Sequence, residues 1–270
     1  MINKKLKRLL SITLTAIIVS SFFALNVGAY EPALSWYCRR TKDHTQPKLP
    51  QEFEFITKHG AFYADRSNQD PNAKEKTVYL TFDAGYENGN VRKTLDVLKM
   101  NNTPAAFFIL SNLVKSEPDL IKRMGEEGHL VCNHTSKHKD MSTLKSFQEF
   151  TQELTALEII YKECTGRELA KYFRPPEGKF SESTLEFSDK MGYKTIFWSF
   201  AYADWDNQAQ PDKSAAKRKI LDNMHNGAVI LLHPTSSTNA EILDDVIKEL
   251  KSQGYRFGTL DELVSNNSKR

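Results

Sequence analysis

The chain has 270 residues, 40% of them hydrophobic and 26% charged. That length suits one large domain or two small ones, and the balance excludes a disordered chain, a collagen-like chain and a polytopic membrane protein. The formal charge is +3 from 37 basic and 34 acidic residues, but Lys4, Lys5, Lys7 and Arg8 open the chain and residues 1–29 hold no acid, so the remainder stands at −1 and has no net attraction for nucleic acid.

Residues 1–8 are basic, Leu9 to about Val27 is mostly apolar, and Val27-Gly28-Ala29 is small-residue. This predicts a secretory signal peptide cleaved after Ala29. An uncleaved membrane anchor is the alternative, because the apolar stretch approaches the length of a spanning helix. Either one exports the rest across the cytoplasmic membrane. Cys38, Cys132 and Cys164 contain no Cys-x-x-Cys pair, which supports neither a disulfide framework nor a zinc knuckle. Buried or partly buried thiols are expected, with one bridge left open.

Residues 30–76 carry Pro32, Pro47, Pro50 and Pro71 and no sustained period. They read as an irregular extension packed on the main domain, which spans 77–265. Thr77 to Phe82 is a β-rich run ended by Asp83 and Gly85, and Val91, Leu95 and Leu98 share one face of a helix reaching Met100. Ala105 to Leu110 is a second strand. Ser116 reads as the N-cap of a helix with Pro118 near its start and Gly128 after its end. Leu130 to Cys132 is a third strand, and Ser146 with Glu149 forms a capping box before a helix running to about Cys164.

Tyr172 to Arg174 is a fourth strand, and a helix from about Ser181 stops at Gly192. Thr195 to Ser199 and Ala228 to Leu232 are strands five and six, separated by a helix over 212–225. A helix over 240–252 and a seventh strand, Tyr255 to Phe257, complete the series. Seven alternations with short links imply parallel strands wrapped by helices. The fold class is therefore α/β, a (β/α) barrel, with an open doubly wound sheet as the alternative. Neither a G-x-G-x-x-G after the first strand nor a G-x-x-x-x-G-K-[ST] is present, so a phosphate cradle is missing.

Polar residues gather just after the strands: Asp83, His134 and His138, Arg174, Asp204 with Trp205, and His233. In a parallel barrel those positions share one face, where active sites form. His134 and His138 stand four apart, and on a helical turn they would share a face and hold one metal ion. On spacing alone they could equally be surface histidines; their alignment with the other strand-end groups favours ligation. Asp83 is a candidate general base or a turn cap, Arg174 a carboxylate holder or a surface ion pair. His233 is a candidate acid or a backbone-bonded histidine, and Asp204 a partner that raises a histidine pKa or an ordinary loop acid.

Five segments in order, Thr81-Phe-Asp-Ala-Gly85, His134-Thr-Ser-Lys-His138, Arg174-Pro-Pro-Glu-Gly178, Asp204-Trp205 and Leu231-Leu-His233, together resemble the polysaccharide deacetylase family, the NodB-homology carbohydrate esterases. Tyr79-Leu-Thr-Phe-Asp-Ala-Gly-Tyr-Glu-Asn-Gly89, with Ser35-Trp-Tyr37 upstream, is similar to the muramic acid deacetylases of spore-forming bacteria. The resemblance implies a distorted (β/α)7 barrel and metal-assisted hydrolysis of an N-acetyl amide on a glycan. It makes Asp83 the base, Arg174 its positioner, His233 the acid and Asp204 the partner of that acid. Trp205 and Leu231 become walls of an acetyl-methyl pocket, and His134 and His138 become ligands of a divalent metal, expected to be Zn²⁺.

One position departs from the family pattern. Ala84 stands where relatives carry a second acid that ligates the metal. An ion held weakly by the two histidines and waters is expected, with recruitment of Asp83 or metal-free catalysis as alternatives. Glu177 is a second departure, at a position where relatives often carry an aromatic residue. The implied partner is peptidoglycan glycan strands in the cell wall or spore envelope, with neither a nucleic acid nor a protein partner. Muramic acid deacetylation would lead to the δ-lactam of spore cortex. Chitin oligosaccharide or acetylxylan as substrate, or a catalytically silent wall-binding protein, are the alternatives.

Overall fold

The computed structural model describes residues 32–41 and 43–269, so the signal-peptide reading of residues 1–29 lies outside the described residues. The chain divides after Pro32, and everything below concerns the unit from Ala33 onward. Its strands are β1 Leu34–Ser35, β2 Ala61–Phe62, β3 Lys76–Ala84, β4 Ala106–Ile109, β5 Leu130–Asn133, β6 Ala170–Phe173, β7 Lys179–Phe180, β8 Lys194–Ile196, β9 Ala228–Leu232 and β10 Tyr255–Phe257. Its α-helices are α1 Asn90–Met100, α2 Ser111–Ser116, α3 Pro118–Glu126, α4 Phe147–Thr165, α5 Glu182–Lys190, α6 Lys213–Asp222, α7 Ser237–Ser252 and α8 Leu260–Ser268.

Strands β10, β3, β4, β5, β6, β8 and β2 follow one another in a parallel sheet, with β9 on the other edge of β3. Bridges from Phe200 to Ile230 and from Ala64 to Ala228 tie β9 back toward the far end. The sheet is thereby curled into a half-barrel with helices around it, the distorted barrel that the family resemblance implies, made of the parallel strands that the alternating pattern predicts.

Side chains alternate across each strand with period two. On β3, Val78, Leu80, Phe82 and Ala84 face outward and pack with Leu95 of α1, Leu113 of α2, Ile121 of α3 and Ile247 of α7. Tyr79 faces inward, where it meets Phe108, Cys132, Ile196 and Val229, with Leu260 and Leu263 of α8. Thr81 and Asp83 share the parity of Tyr79. Continuing the inward row past each strand end brings up His134, Arg174, Trp198 and His233. The functional residues are thus the topmost members of the interior row, delivered by backbone pleat alone.

Several elements differ from expectation. Residues 51–59 form a nine-residue 3₁₀ helix inside the stretch read as irregular. Phe53 and Ile56, three apart, lie under one another at three residues per turn, and both pack in the cluster with Trp36, Tyr63, Phe180 and Phe197. Pro50 and the left-handed Gly60 (φ 63°) bracket it. Ser116 ends α2 rather than capping α3, whose N-cap is Glu117 without a side-chain bond. The fifth strand stops at Ile196 because Ser199 and Phe200 donate to the Val229 carbonyl instead. Helix α8, capped by Thr259 accepting from the Glu262 amide, went unread despite its Thr-x-x-Glu signal. The Ser146 cap of α4 stands as read, accepting from the Glu149 amide. All three cysteines are free.

Candidate active site

Arg174 lies under the site and is fully buried. Its Nη1 donates to Asp83 Oδ1 at 2.8 Å, Nη2 to Thr81 Oγ1 at 2.9 Å and to the Phe197 carbonyl at 3.4 Å, and Nε to the Ile196 carbonyl at 2.9 Å. The guanidinium carbon sits 4.2 Å from the Phe108 ring centroid and 5.8 Å from that of Trp198. Only a planar, fully paired guanidinium tolerates such burial. It holds Asp83 by one oxygen and leaves Oδ2 toward the open side. Burial pushes the Asp83 pKa up, but the charges around it outweigh burial and hold the carboxyl below its ordinary range. His134, Arg174 and His233 all act in that direction, and Arg174 adds its hydrogen bond.

His134 and His138 are not on a helix, contrary to expectation. Residues 134–140 are a turn. The Thr135 amide donates to Asn133 Oδ1, and the His138 amide donates to Thr135 Oγ1. Thr135 and His138 both take left-handed backbone conformations, φ 75° and 56°. Such side-chain-capped turns are the alternative to a helix that Asn and Thr offer, and here they bring the two rings to 5.1 Å. His134 is buried and its Nδ1 donates to the Arg174 carbonyl at 2.8 Å, leaving Nε2 facing Asp83 Oδ2 at 3.5 Å. Burial, reinforced by His138 and Arg174, pushes its pKa down to about 4.

This arrangement bears on a metal. A neutral imidazole whose Nδ1 donates has only a lone pair on Nε2. That lone pair confronts a carboxylate oxygen, an arrangement that a bound cation relieves. His138 supplies a second ring nitrogen nearby. Among the described residues, however, no group of three or more His, Cys, Asp or Glu side chains is already arranged to hold an ion. The donor set therefore fits a divalent cation whose shell water or substrate oxygen completes. Ala84 borders the cleft but cannot contribute, because its methyl carries no donor atom.

Across the cleft, His233 Nδ1 bonds Asp204 Oδ1 at 2.7 Å, and its backbone N–H donates to Asp204 Oδ2 at 2.9 Å. Asn239 Nδ2 donates to the same Oδ2 at 2.6 Å, and Tyr202 O–H donates to Asn239 Oδ1. Burial pulls the His233 pKa down, but the bond to Asp204 and its charge win, and the pKa is raised above its ordinary 6.5. With Nδ1 committed, Nε2 is the atom left to exchange a proton.

Asp83, His134, His138, His233 and Leu231 all line one cleft of about 660 Å³, together with Tyr86, Leu110, Glu177, Trp198, Ala201, Tyr202 and Trp205. Arg174 and Asp204 stand just behind it. Leu231 is buried in the wall, whereas Trp205 is 60% exposed, its ring 6.1 Å from that of His233. Trp205 thus lines the cleft with much of its side chain open to solvent. Sequence reading missed Trp198, Thr81, Tyr202 and Asn239. Trp198 is inward by strand parity, and Asn239 follows Ser236 by three as its cap contact, so both had a signal. Glu177 has φ 56° and pairs with Lys179 Nζ at 2.8 Å.

The chain has relatives among known proteins. The family profile described as polysaccharide deacetylase matches residues 70–196. The chain is 39% identical over 267 residues to the peptidoglycan-N-acetylmuramic acid deacetylase PdaA of Bacillus subtilis, covering 98% of each. It is 45% identical over 246 residues to an uncharacterized 30.6 kDa protein of Geobacillus stearothermophilus, covering 90% of each. The solved structure of Bacillus subtilis PdaA, a family 4 carbohydrate esterase, superposes with a TM-score of 0.80 at 40% identity, over 87% of this chain and 98% of that one.

Proposed function

The chain belongs to the polysaccharide deacetylase family, and from that membership we propose that it hydrolyses the N-acetyl group of muramic acid residues in peptidoglycan glycan strands. The observation that carries the chemistry is the opposition of two proton-transfer groups across one cleft: Asp83, held by Arg174, and His233, bonded to Asp204.

Amide hydrolysis needs a base for water and an acid for nitrogen. Asp83 Oδ2 takes the proton of the attacking water, while Arg174 keeps Oδ1 occupied and the carboxyl ionised. His233 delivers a proton from Nε2 to the departing nitrogen, because an amide nitrogen leaves poorly until it is protonated. Asp204 stabilises the imidazolium and fixes the ring. His134 and His138 would hold a divalent cation, Zn²⁺ by their nitrogen donors, which when bound would supply Lewis acidity to the carbonyl and acidity to water. Leu231 offers the acetyl methyl an apolar wall. The products are acetate and a free amino sugar.

The freed amine of muramic acid lies within reach of its own lactyl carboxyl, and this reading places the enzyme on the route to the cortex δ-lactam. The basic-apolar-small pattern of residues 1–29 supports export to that substrate, cleaved or anchored.

The test measures acetate release from peptide-stripped glycan strands, chitin oligosaccharide and acetylxylan in parallel. Release from glycan strands, with new amines on muramic acid, is the expected result. Faster release from chitin oligomers or xylan would reassign the polymer. No release from any of them, with zinc supplied, would point to a silent wall-binding protein.

A further inference from the structure

N-acetylmuramic acid differs from N-acetylglucosamine by a lactyl ether that ends in a carboxylate. An anion entering the cleft needs a cation, and the obvious ones are committed. Arg174 is spent on Asp83, Thr81 and two carbonyls. Lys179 sits between Glu177 at 2.8 Å and Asp140 at 3.6 Å. The carboxylates that line the cleft, Asp83 and Glu177, are the partners that occupy these two cations.

A further cation arrives from outside the barrel. Residues 36–40 run beside residues 198–201, with every second side chain turned toward them. Trp36 Nε1 donates to the Trp198 carbonyl at 2.9 Å, Cys38 Sγ to the Ser199 carbonyl at 2.9 Å and Arg40 Nη2 to the Ala201 carbonyl at 2.7 Å. Trp198 and Ala201 line the cleft. The Arg40 guanidinium also stacks 5.6 Å from the Phe200 ring centroid. It is exposed and, among the described residues, pairs with no carboxylate. A guanidinium held by one nitrogen and a ring face keeps most of its fork free for planar anions. This segment precedes residue 70, where the family profile begins, and falls within the 98% of the chain shared with the muramic acid enzyme.

We infer that Arg40 is a specificity-determining residue of the cleft, binding the lactyl carboxylate of the muramic acid residue through the N–H groups that Ala201 leaves free. The inference rests on the muramic acid reading above. It assigns to the N-terminal extension the discrimination between the two sugars of one polymer, while the barrel performs hydrolysis common to both.

The experiment uses the full chain and peptide-stripped glycan strands with the lactyl carboxylates either free or methyl-esterified. Wild type is expected to favour the free acid by about fivefold in kcat/KM, expressed in KM, the range of a partly exposed ion pair. Added salt should erode that preference. Arg40→Gln keeps a donor for the Ala201 carbonyl but no charge, and its ratio between the two substrates should fall to about one. Arg40→Lys should recover part of the preference. A preference retained in Arg40→Gln, or a loss equal on both substrates, would overturn the inference and leave the muramic acid reading standing. Absence of acetate release from both glycans by wild type would remove that reading and the inference with it.

Discussion

The Asp83–His134 side of the cleft and the Asp204–His233 side each pair a carboxylate with an imidazole, yet their histidines shift in opposite directions. His134 is pushed down to about 4, and His233 is raised. On the first side the carboxylate is already neutralised by Arg174, and the imidazole spends its N–H on a carbonyl. It cannot gain a proton at a bearable cost and presents a lone pair. On the second side no guanidinium intervenes, so Asp204 is free to stabilise an imidazolium. One residue type thus supplies a ligand on one wall and a proton on the other, and the neighbours decide which.

The two sides also differ in what they support. The first is woven into the barrel through a buried cation and four strand-end acceptors. The second is a loop aspartate pinned by Asn239 at the start of α7. The largest expected effect ignores that difference. Asp83→Asn and His233→Ala should each cut kcat by about 10²–10⁴-fold, with near-native circular dichroism. Near-wild-type acetate release in either variant would remove that residue from the reaction.

Arg174→Met breaks the symmetry. It leaves Asp83 buried without its cation and strips donors from the Ile196 and Phe197 carbonyls. A loss of about 3–5 kcal/mol of stability is expected, read as the urea midpoint. A midpoint equal to wild type would mean that the base side is no more structural than the acid side.

A smaller effect separates ligand from acid. His138→Ala should raise the zinc concentration needed for half-maximal activity at least tenfold, with the maximal rate partly recovered at high zinc. His233→Ala should show no such recovery. Zinc dependence that is identical in wild type and His138→Ala would strike His138 from the donor set.

The smallest effect is a displaced pH profile. Asp83 must be ionised, so activity falls on the acid side below its lowered pKa. His233 must be protonated, so activity falls as pH rises through its raised pKa. Asp204→Asn removes the group that raises it while burial still lowers it. The alkaline limb of kcat should therefore move to lower pH and the acid limb stay in place. An unmoved alkaline limb would assign that limb to another group.

Much of this site was legible because strand pleat is local. Asp83, His134, Arg174 and His233 each extend an inward row whose parity can be counted along the chain, and strand ends on one barrel face must converge. The 3₁₀ helix over 51–59 was not legible from helical period, since three residues per turn resembles neither common pattern. The turn joining His134 to His138 depends on Asn133 and Thr135 side chains outcompeting a helix.

What the chain alone determined was the set of reactive groups and the face on which they meet, since alternation along a strand needs only neighbouring residues. Tertiary structure decided which groups carry protons, because burial and charge at His134 and His233 come from Arg174 and Asp204, 40 and 29 positions away. It also set Arg40 beside Ala201, 161 positions along the chain, a contact that no local pattern encodes because only folding brings the extension to the cleft.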